Sequence, residues 1–296
     1  MTSEISGSSQ PPAESAGVFP PKGTLLGDIV EKLLGLISAL LSPGLLESSI
    51  GTSKRLGHYT VLAGAALTVI YGLIAAVKME AFALVITAVV LVGAIAVAQF
   101  AASKFLNAAT RIIANTPSRV SSPAFFECAG LTFIIVAIGI LLGGLGGAVS
   151  LRNIAPLLVA LVFAALIVSF ATVMLHPDVV NVSVGEGSAG EEAVGILMTI
   201  TKAKLKIVPL VFFLVAALGS VIVFAGFFGE RAAASFTHIL PVNLYGVPFG
   251  FVGSALIVVA CMVPIIFYFF CLLQFLLLDF IRSVLAVPGK LDELKK

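Results

Sequence analysis

Two carboxylates next to apolar segments are the side chains of this sequence best suited to acid–base chemistry. Glu127 follows Pro123 and two phenylalanines at the start of one such segment, and Asp279 lies near the end of another. A carboxyl group in an apolar zone resists ionisation and can serve as acid, base or cation ligand. The alternative is structural, with Glu127 paired to Arg119 or a loop lysine and Asp279 paired to Arg282 one helical turn away. We favour the structural role and keep Glu127 as the best functional candidate.

The sequence contains no residue pattern typical of a metal site, a disulfide bond or a catalytic nucleophile. Cys128, Cys261 and Cys271 lie singly in apolar segments and form no Cys-x-x-Cys pair. The triplet at residues 176–178, His-Pro-Asp, looks like part of a metal site but has no further ligand near it. We therefore predict no metal, no cofactor and no catalytic residue.

Glycine spacing distinguishes the third apolar segment. Gly139, Gly143 and Gly147 recur every fourth residue, which places them on one face of a helix. Such a face is typical of close helix packing within or between subunits, and we predict that use. The alternative is a hinge or a groove for a lipid-sized molecule.

A basic cluster precedes the fifth apolar segment. Lys202, Lys204 and Lys206, together with Arg282, predict an inner basic collar that marks the cytoplasmic side. Contact with anionic lipids would contribute about 1 kcal/mol per charge. No basic run is interleaved with aromatic residues, so nucleic acid is not an expected partner.

The composition requires lipid as the solvent for most of the chain. Of the 296 residues, 59% are hydrophobic and 11% are charged, with a mean hydropathy of +1.16. Soluble domains carry about 25% charged residues. We predict an all-α, polytopic helical membrane bundle with about six transmembrane helices and additional amphipathic interfacial helices.

Six segments are apolar over the roughly 20 residues that a transmembrane helix needs. Pro264 in the last and longest segment predicts a kink, and division of this segment into two spans is the alternative. The predicted spans are 59–77, 81–102, 124–149, 154–175, 207–228 and 249–280.

The basic residues orient these spans. Fourteen of the 17 Lys and Arg residues fall on the side of the N-terminus, while Lys78, Arg152 and Arg231 fall on the other. Because Lys and Arg accumulate on cytoplasmic loops, both termini are predicted to be cytoplasmic. Residues 229–248 then form the longest outer loop.

The remaining segments are predicted to lie on the inner side. They are a disordered tail at 1–23, an amphipathic interfacial region at 24–58 and a cytoplasmic tail at 282–296, around a transmembrane domain at 59–281. An inner segment at 176–206 has alternating valines typical of an extended piece. It also has the Ser188-x-x-Glu191 pattern of a helix capping box.

These features favour a non-catalytic integral membrane scaffold or an accessory subunit of a membrane assembly. No charged residue lies near the midpoint of any predicted span, which argues against ion-coupled transport. The alternatives are a transporter or channel for an apolar or lipid-like solute, using the third and sixth spans, and a lipid-modifying membrane enzyme. Expected partners are membrane lipids, including anionic lipids, with a second copy or other membrane subunits. The expected location is the plasma (inner) membrane.

Overall fold

The computed structural model describes residues 25–185, 188–228 and 248–294. The predicted tail at 1–23 and nearly all of the predicted outer loop at 229–248 lie outside the described residues. The described residues form seven α-helices, and these are α1 (Leu25–Leu40), α2 (Pro43–Lys78), α3 (Ala83–Asn115), α4 (Ala124–Leu151), α5 (Ala155–Leu175), α6 (Ala189–Gly226) and α7 (Phe249–Leu294). Two short strands, β1 (Ser118–Val120) and β2 (Val182–Val184), and a 3-10 turn at Pro177–Val180 complete the described elements.

Helices α2 to α7 are each long and apolar enough to cross a membrane, which confirms the predicted polytopic helical bundle with six spans. The outer surface of the bundle is apolar, as contact with lipid requires. Large apolar side chains on it are well exposed, including Ile135, Leu142 and Leu276, which are 69%, 64% and 67% exposed. The chain is therefore a multi-pass helical membrane protein.

Several helices extend well beyond the predicted spans. Helix α2 begins at Pro43, so residues 43–58 belong to it and only α1 is a separate helix of the predicted interfacial region. Helix α6 begins at Ala189 and continues past Pro209 as one helical run. Helix α7 likewise continues past Pro264 without a break. The apolar stretch marks only the part of a helix that lipid can cover, while charged residues such as lysine and arginine extend the helix itself.

Four helices make the core of the bundle. Helix α6 packs against α7 and α2, and α3 packs against both α2 and α7. Small residues allow close contacts, since a Cβ added to Gly219 of α6 would lie 2.9 Å from the carbonyl oxygen of Gly253 of α7. The buried hydroxyls of Thr68 and Ser254 form a hydrogen bond of 2.7 Å between α2 and α7. Small residues and interhelical hydrogen bonds are the usual means of helix association in lipid.

Helices α4 and α5 form a hairpin beside this core. Among the described helices, α4 packs extensively only against α5, and α5 makes a smaller contact with α6. The hairpin turns at Arg152, which adopts the left-handed backbone conformation at φ 48°. The hairpin therefore joins the rest of the bundle through α5.

One end of the bundle carries the two strands, and we call it the sheet end. It also holds the first turns of α2 and α6 and the last turns of α3 and α5. Strands β1 and β2 pair in parallel, with Ser118 opposite Val182 and Val120 opposite Val184. The predicted extended piece is present but begins only after Asn181, which has φ 58° and ends the 3-10 turn. Its partner β1 was not predicted.

Candidate functional site

A cavity of about 710 Å³ opens at the sheet end, and we call it the sheet-end cavity. Its walls are β1, the residues just before α6, the first turns of α6 and one arginine of α7. Its size falls in the range of small-molecule sites, roughly 300–1,000 Å³. The lining residues that matter for its chemistry are Arg119, Glu191, Glu192, Val194, Met198 and Arg282.

Strand β1, which forms one wall, is fixed by a buried lysine. The side chain of Lys202 is fully buried in α6. Its Nζ donates hydrogen bonds to Ser118 Oγ at 2.9 Å and to the carbonyl oxygen of Asn181 at 3.1 Å. A buried amine is tolerated only when it is hydrogen-bonded. Lys202 thus ties β1 and the 3-10 turn to α6.

Glycine 195 allows β1 to lie directly on α6. A Cβ at Gly195 would overlap the carbonyl oxygen of Arg119 and approach Cγ1 of Val120 to 3.1 Å. The strand therefore touches the helix backbone itself. This contact sets the position of Arg119, which lines the cavity.

Two carboxylates of the cavity are held by backbone groups. The predicted capping box is present, with Ser188 Oγ accepting from the Glu191 N–H at 3.3 Å and Glu191 Oε2 accepting from the Ser188 N–H at 3.0 Å. Glu192 Oε2 accepts from the Ser121 N–H at 3.1 Å. Both carboxylates lie in the first turn of α6, where the helix dipole favours negative charge.

Two arginines line the same cavity. Arg119 and Arg282 are exposed, and neither guanidinium forms an ion pair or a hydrogen bond with any of the residues that the structure describes. A guanidinium presents five N–H donors in a planar fork that matches phosphate and carboxylate oxygens. The cavity is thus lined by two carboxylates that backbone groups hold in place and by two arginines whose guanidinium groups have no partner among the described residues.

The predicted basic collar is not one surface. Lys202 is buried, the Lys204 amine lies 5.9 Å from the centre of the Phe270 ring, and Lys206 pairs with Glu47 of α2 at 3.6 Å. Arg282 alone of the four lines the sheet-end cavity. Residues two apart on a helix do not face each other, so alternate lysines of α6 meet different neighbours.

The two predicted carboxylates lie apart from this cavity. Glu127 is exposed in the first turn of α4 and has no partner among the described residues, so its expected pairing with Arg119 is not formed. Asp279 is exposed on α7, forms no ion pair with Arg282, and its carbonyl oxygen accepts from Ser283 Oγ at 2.8 Å. Glu191 and Glu192 are the carboxylates held by backbone hydrogen bonds at the cavity, and the capping pattern was the signal for Glu191 alone.

The predicted glycine face divides between two environments. A Cβ at Gly147 would lie 3.2 Å from Cβ of Pro156 on α5, whereas Gly139 and Gly143 have nothing within 4 Å. Gly130 and Gly144, seven residues to either side of the buried Ala137, contact α5 instead. These small residues at the α5 contact therefore recur every seven residues. This spacing is present in the sequence, but our prediction rested on the four-residue spacing of Gly139, Gly143 and Gly147.

The histidine of the metal-like triplet has a structural contact. His176 Nε2 lies 3.2 Å from the carbonyl oxygen of Ser38 and 3.4 Å from its Oγ, which joins α1 to the end of α5. Within the described ranges no three metal-ligating side chains come together. A second cavity of about 290 Å³ between α3 and α6 contains Asp178 and the already paired Lys206.

Comparison with known proteins gives no match to a protein-family model, to a curated protein or to a solved structure. The function has to be argued from the arrangement of this chain's own residues.

Proposed function

We propose that this protein is a non-catalytic component of a membrane assembly, acting as a scaffold or accessory subunit. The observation that carries the proposal is the attachment of the α4–α5 hairpin. Among the described helices, α4 packs extensively against α5 alone, and Gly139, Gly143 and Gly146 on its other face have nothing within 4 Å of an added Cβ. We infer that a transmembrane helix of another subunit packs there.

The two faces of α4 both carry small residues but have different surroundings. Gly130, Ala137 and Gly144 face α5. Gly139, Gly143 and Gly146 are exposed with nothing within 4 Å. The intervals of the second set are close to one turn of about 3.6 residues, so its members share a side. Small residues on one side let a second helix approach closely, which in lipid is a main source of association.

Cys128 provides a native thiol for cross-linking on this face of α4. It is exposed, while Cys261 and Cys271 are buried. It precedes Gly139 by eleven residues, or about three turns, so the two lie on the same side of α4. A partner helix on this face would pass close to the Cys128 thiol.

The two alternative functions have less support. The solute pathway required a groove shared by the third and sixth spans, but α4 packs on α5 and α7 packs on α6 and α3. A lipid-modifying enzyme required an activated carboxylate, but Glu127 is exposed and without a partner among the described residues. The proposal also places the protein in the plasma (inner) membrane, with the sheet end in the cytoplasm.

Association in native membranes tests the proposal. A tagged chain is purified in mild detergent after thiol cross-linking through Cys128, and co-purifying or cross-linked membrane proteins are identified. Gly143→Leu is expected to reduce the recovered partner about tenfold, because a leucine side chain keeps the two helix backbones apart.

Gly93→Leu on α3 is the matched control. Gly93 is also a helical glycine with nothing within 4 Å, so both variants change helix propensity and apolar bulk alike. Recovery of a monomer alone, or an equal effect of the two substitutions, would overturn the proposal. A cross-linked second copy of the chain would support it and identify the partner as the protein itself.

A further inference from the structure

We propose that the sheet-end cavity binds a zwitterionic phosphate ester, a molecule that carries a phosphate group and a primary amine. The inference goes beyond the scaffold function and does not depend on it. It rests on four charged side chains from three elements: Arg119 of β1, Glu191 and Glu192 of α6, and Arg282 of α7.

The two arginines suit the phosphate. Arg119 comes from β1 and Arg282 from α7, so a phosphate bound between them can accept hydrogen bonds from both guanidinium groups. Neither guanidinium has a hydrogen bond or an ion pair with another described residue, and both arginines are exposed and line the cavity. Charge-assisted bonds from arginine to phosphate are among the strongest hydrogen bonds that proteins make.

The two glutamates suit the amine. Backbone N–H groups hold Oε2 of Glu191 at 3.0 Å and Oε2 of Glu192 at 3.1 Å. The Oε1 atom of each has no hydrogen bond to a described residue, so each carboxylate keeps an oxygen for an ammonium group. An ammonium has three donors and no acceptor, which matches a pair of carboxylates.

Charge balance selects the zwitterion. A purely anionic ligand would meet two carboxylates, and a purely cationic ligand would meet two guanidiniums. Like charges at close range oppose binding of such ligands and provide specificity against them. A ligand that carries one group of each sign satisfies both pairs at once.

The position of the cavity allows two sources for this chemistry. Arg282 directly follows the apolar stretch of α7, within the segment Phe249–Val284 that is long and apolar enough to cross a membrane. A lipid headgroup of the phosphoethanolamine type would lie at this level. Free phosphoethanolamine is the soluble molecule with the same two groups, and Val194 and Met198 give the cavity an apolar portion beside its charges.

Lipid retention by the full chain tests the inference. The protein is reconstituted in nanodiscs that contain phosphatidylethanolamine, phosphatidylglycerol and phosphatidylcholine in equal amounts, and retained lipids are counted by native mass spectrometry. We expect phosphatidylethanolamine to be retained preferentially. The double variant Arg119→Gln/Arg282→Gln should lower that retention at least about tenfold, since one hydrogen bond to a charged group contributes about that factor or more.

Arg111→Gln is the control, because Arg111 is an exposed arginine near the sheet end that does not line the cavity. Glu192→Gln should shift retention toward phosphatidylglycerol, since it removes a partner of the amine. An unchanged preference in the double variant, or equal retention of all three lipids by the native chain, overturns the inference. Displacement of bound lipid by free phosphoethanolamine supports it and identifies a soluble ligand as the source.

Discussion

Lys202 has a structural role that its residue type does not predict. In the sequence it belongs to a row of alternate lysines, and such rows usually mark a cytoplasmic surface. In the structure its side chain is fully buried, and its amine joins Ser118 to Asn181. Lys202 therefore stabilises the internal structure of the sheet end, and it positions the strand whose Arg119 lines the cavity.

We expect Lys202→Met to destabilise the protein by about 1–3 kcal/mol, because the substitution keeps most of the side-chain length and removes two hydrogen bonds from a charged donor. Thermal unfolding in detergent measures the effect. Lys204→Met is the control, since Lys204 is only half-buried and contacts the Phe270 ring. Equal unfolding temperatures for the two variants would contradict the role assigned to Lys202.

At the scale of elements, the contact between β1 and α6 organises the sheet end. The strand has three residues, yet it pairs with β2, bonds to Lys202 and rests on Gly195. A strand of three residues gains little stability from its backbone hydrogen bonds to β2. Its position is therefore set by the helix beneath it, and a change in the helix should move it.

Gly195→Ala is expected to displace β1, because the added Cβ would overlap the Arg119 carbonyl oxygen. Faster hydrogen–deuterium exchange at Ser118–Val120 and a lower unfolding temperature are the expected results. Gly93→Ala, at an open helical position, should instead be neutral or stabilising by up to about 1 kcal/mol. Exchange at β1 that stays as slow in Gly195→Ala as in the native chain would show that the strand is held by other contacts.

At the scale of the whole molecule, the ends of the helices alternate between two sides. The turn from Lys78 to Ala83 and the turn from Leu151 to Ala155 lie at the end opposite the strands. Fourteen of the 17 Lys and Arg residues fall on the side of the N-terminus, which favours the sheet end as cytoplasmic. This orientation is a prediction from charge, and it decides which compartment the sheet-end cavity faces.

Thiol labelling of intact cells tests the orientation. In a Cys128→Ser background, Met79→Cys should react with an impermeant maleimide added outside, and Ser121→Cys should react only after the membrane is opened. Both positions are exposed, and the remaining native cysteines Cys261 and Cys271 are buried. The reverse labelling pattern would place the sheet end outside and refute the charge-based orientation.

Local patterns were enough to predict the six spans, the fold class and the capping box at Ser188 and Glu191. Each of these depends on residues that are near one another in the chain: an apolar stretch long enough for a bilayer, or a hydroxyl and a carboxylate within one turn. Helix ends were less predictable. Residues 43–58 and 189–206 continue transmembrane helices, because lysine and arginine end an apolar stretch without ending a helix.

Only the tertiary structure decided which faces of the helices are used. The rotation of α6 buries Lys202, turns Lys206 toward Glu47 and places Gly195 under β1. The packing of α5 takes Gly130 and Gly144 and leaves Gly139 and Gly143 open. Arg119 and Arg282 are far apart in the chain and line one cavity. Such relations depend on the neighbours of each helix, and the periodicity of one helix carries no information about which neighbour its face will meet.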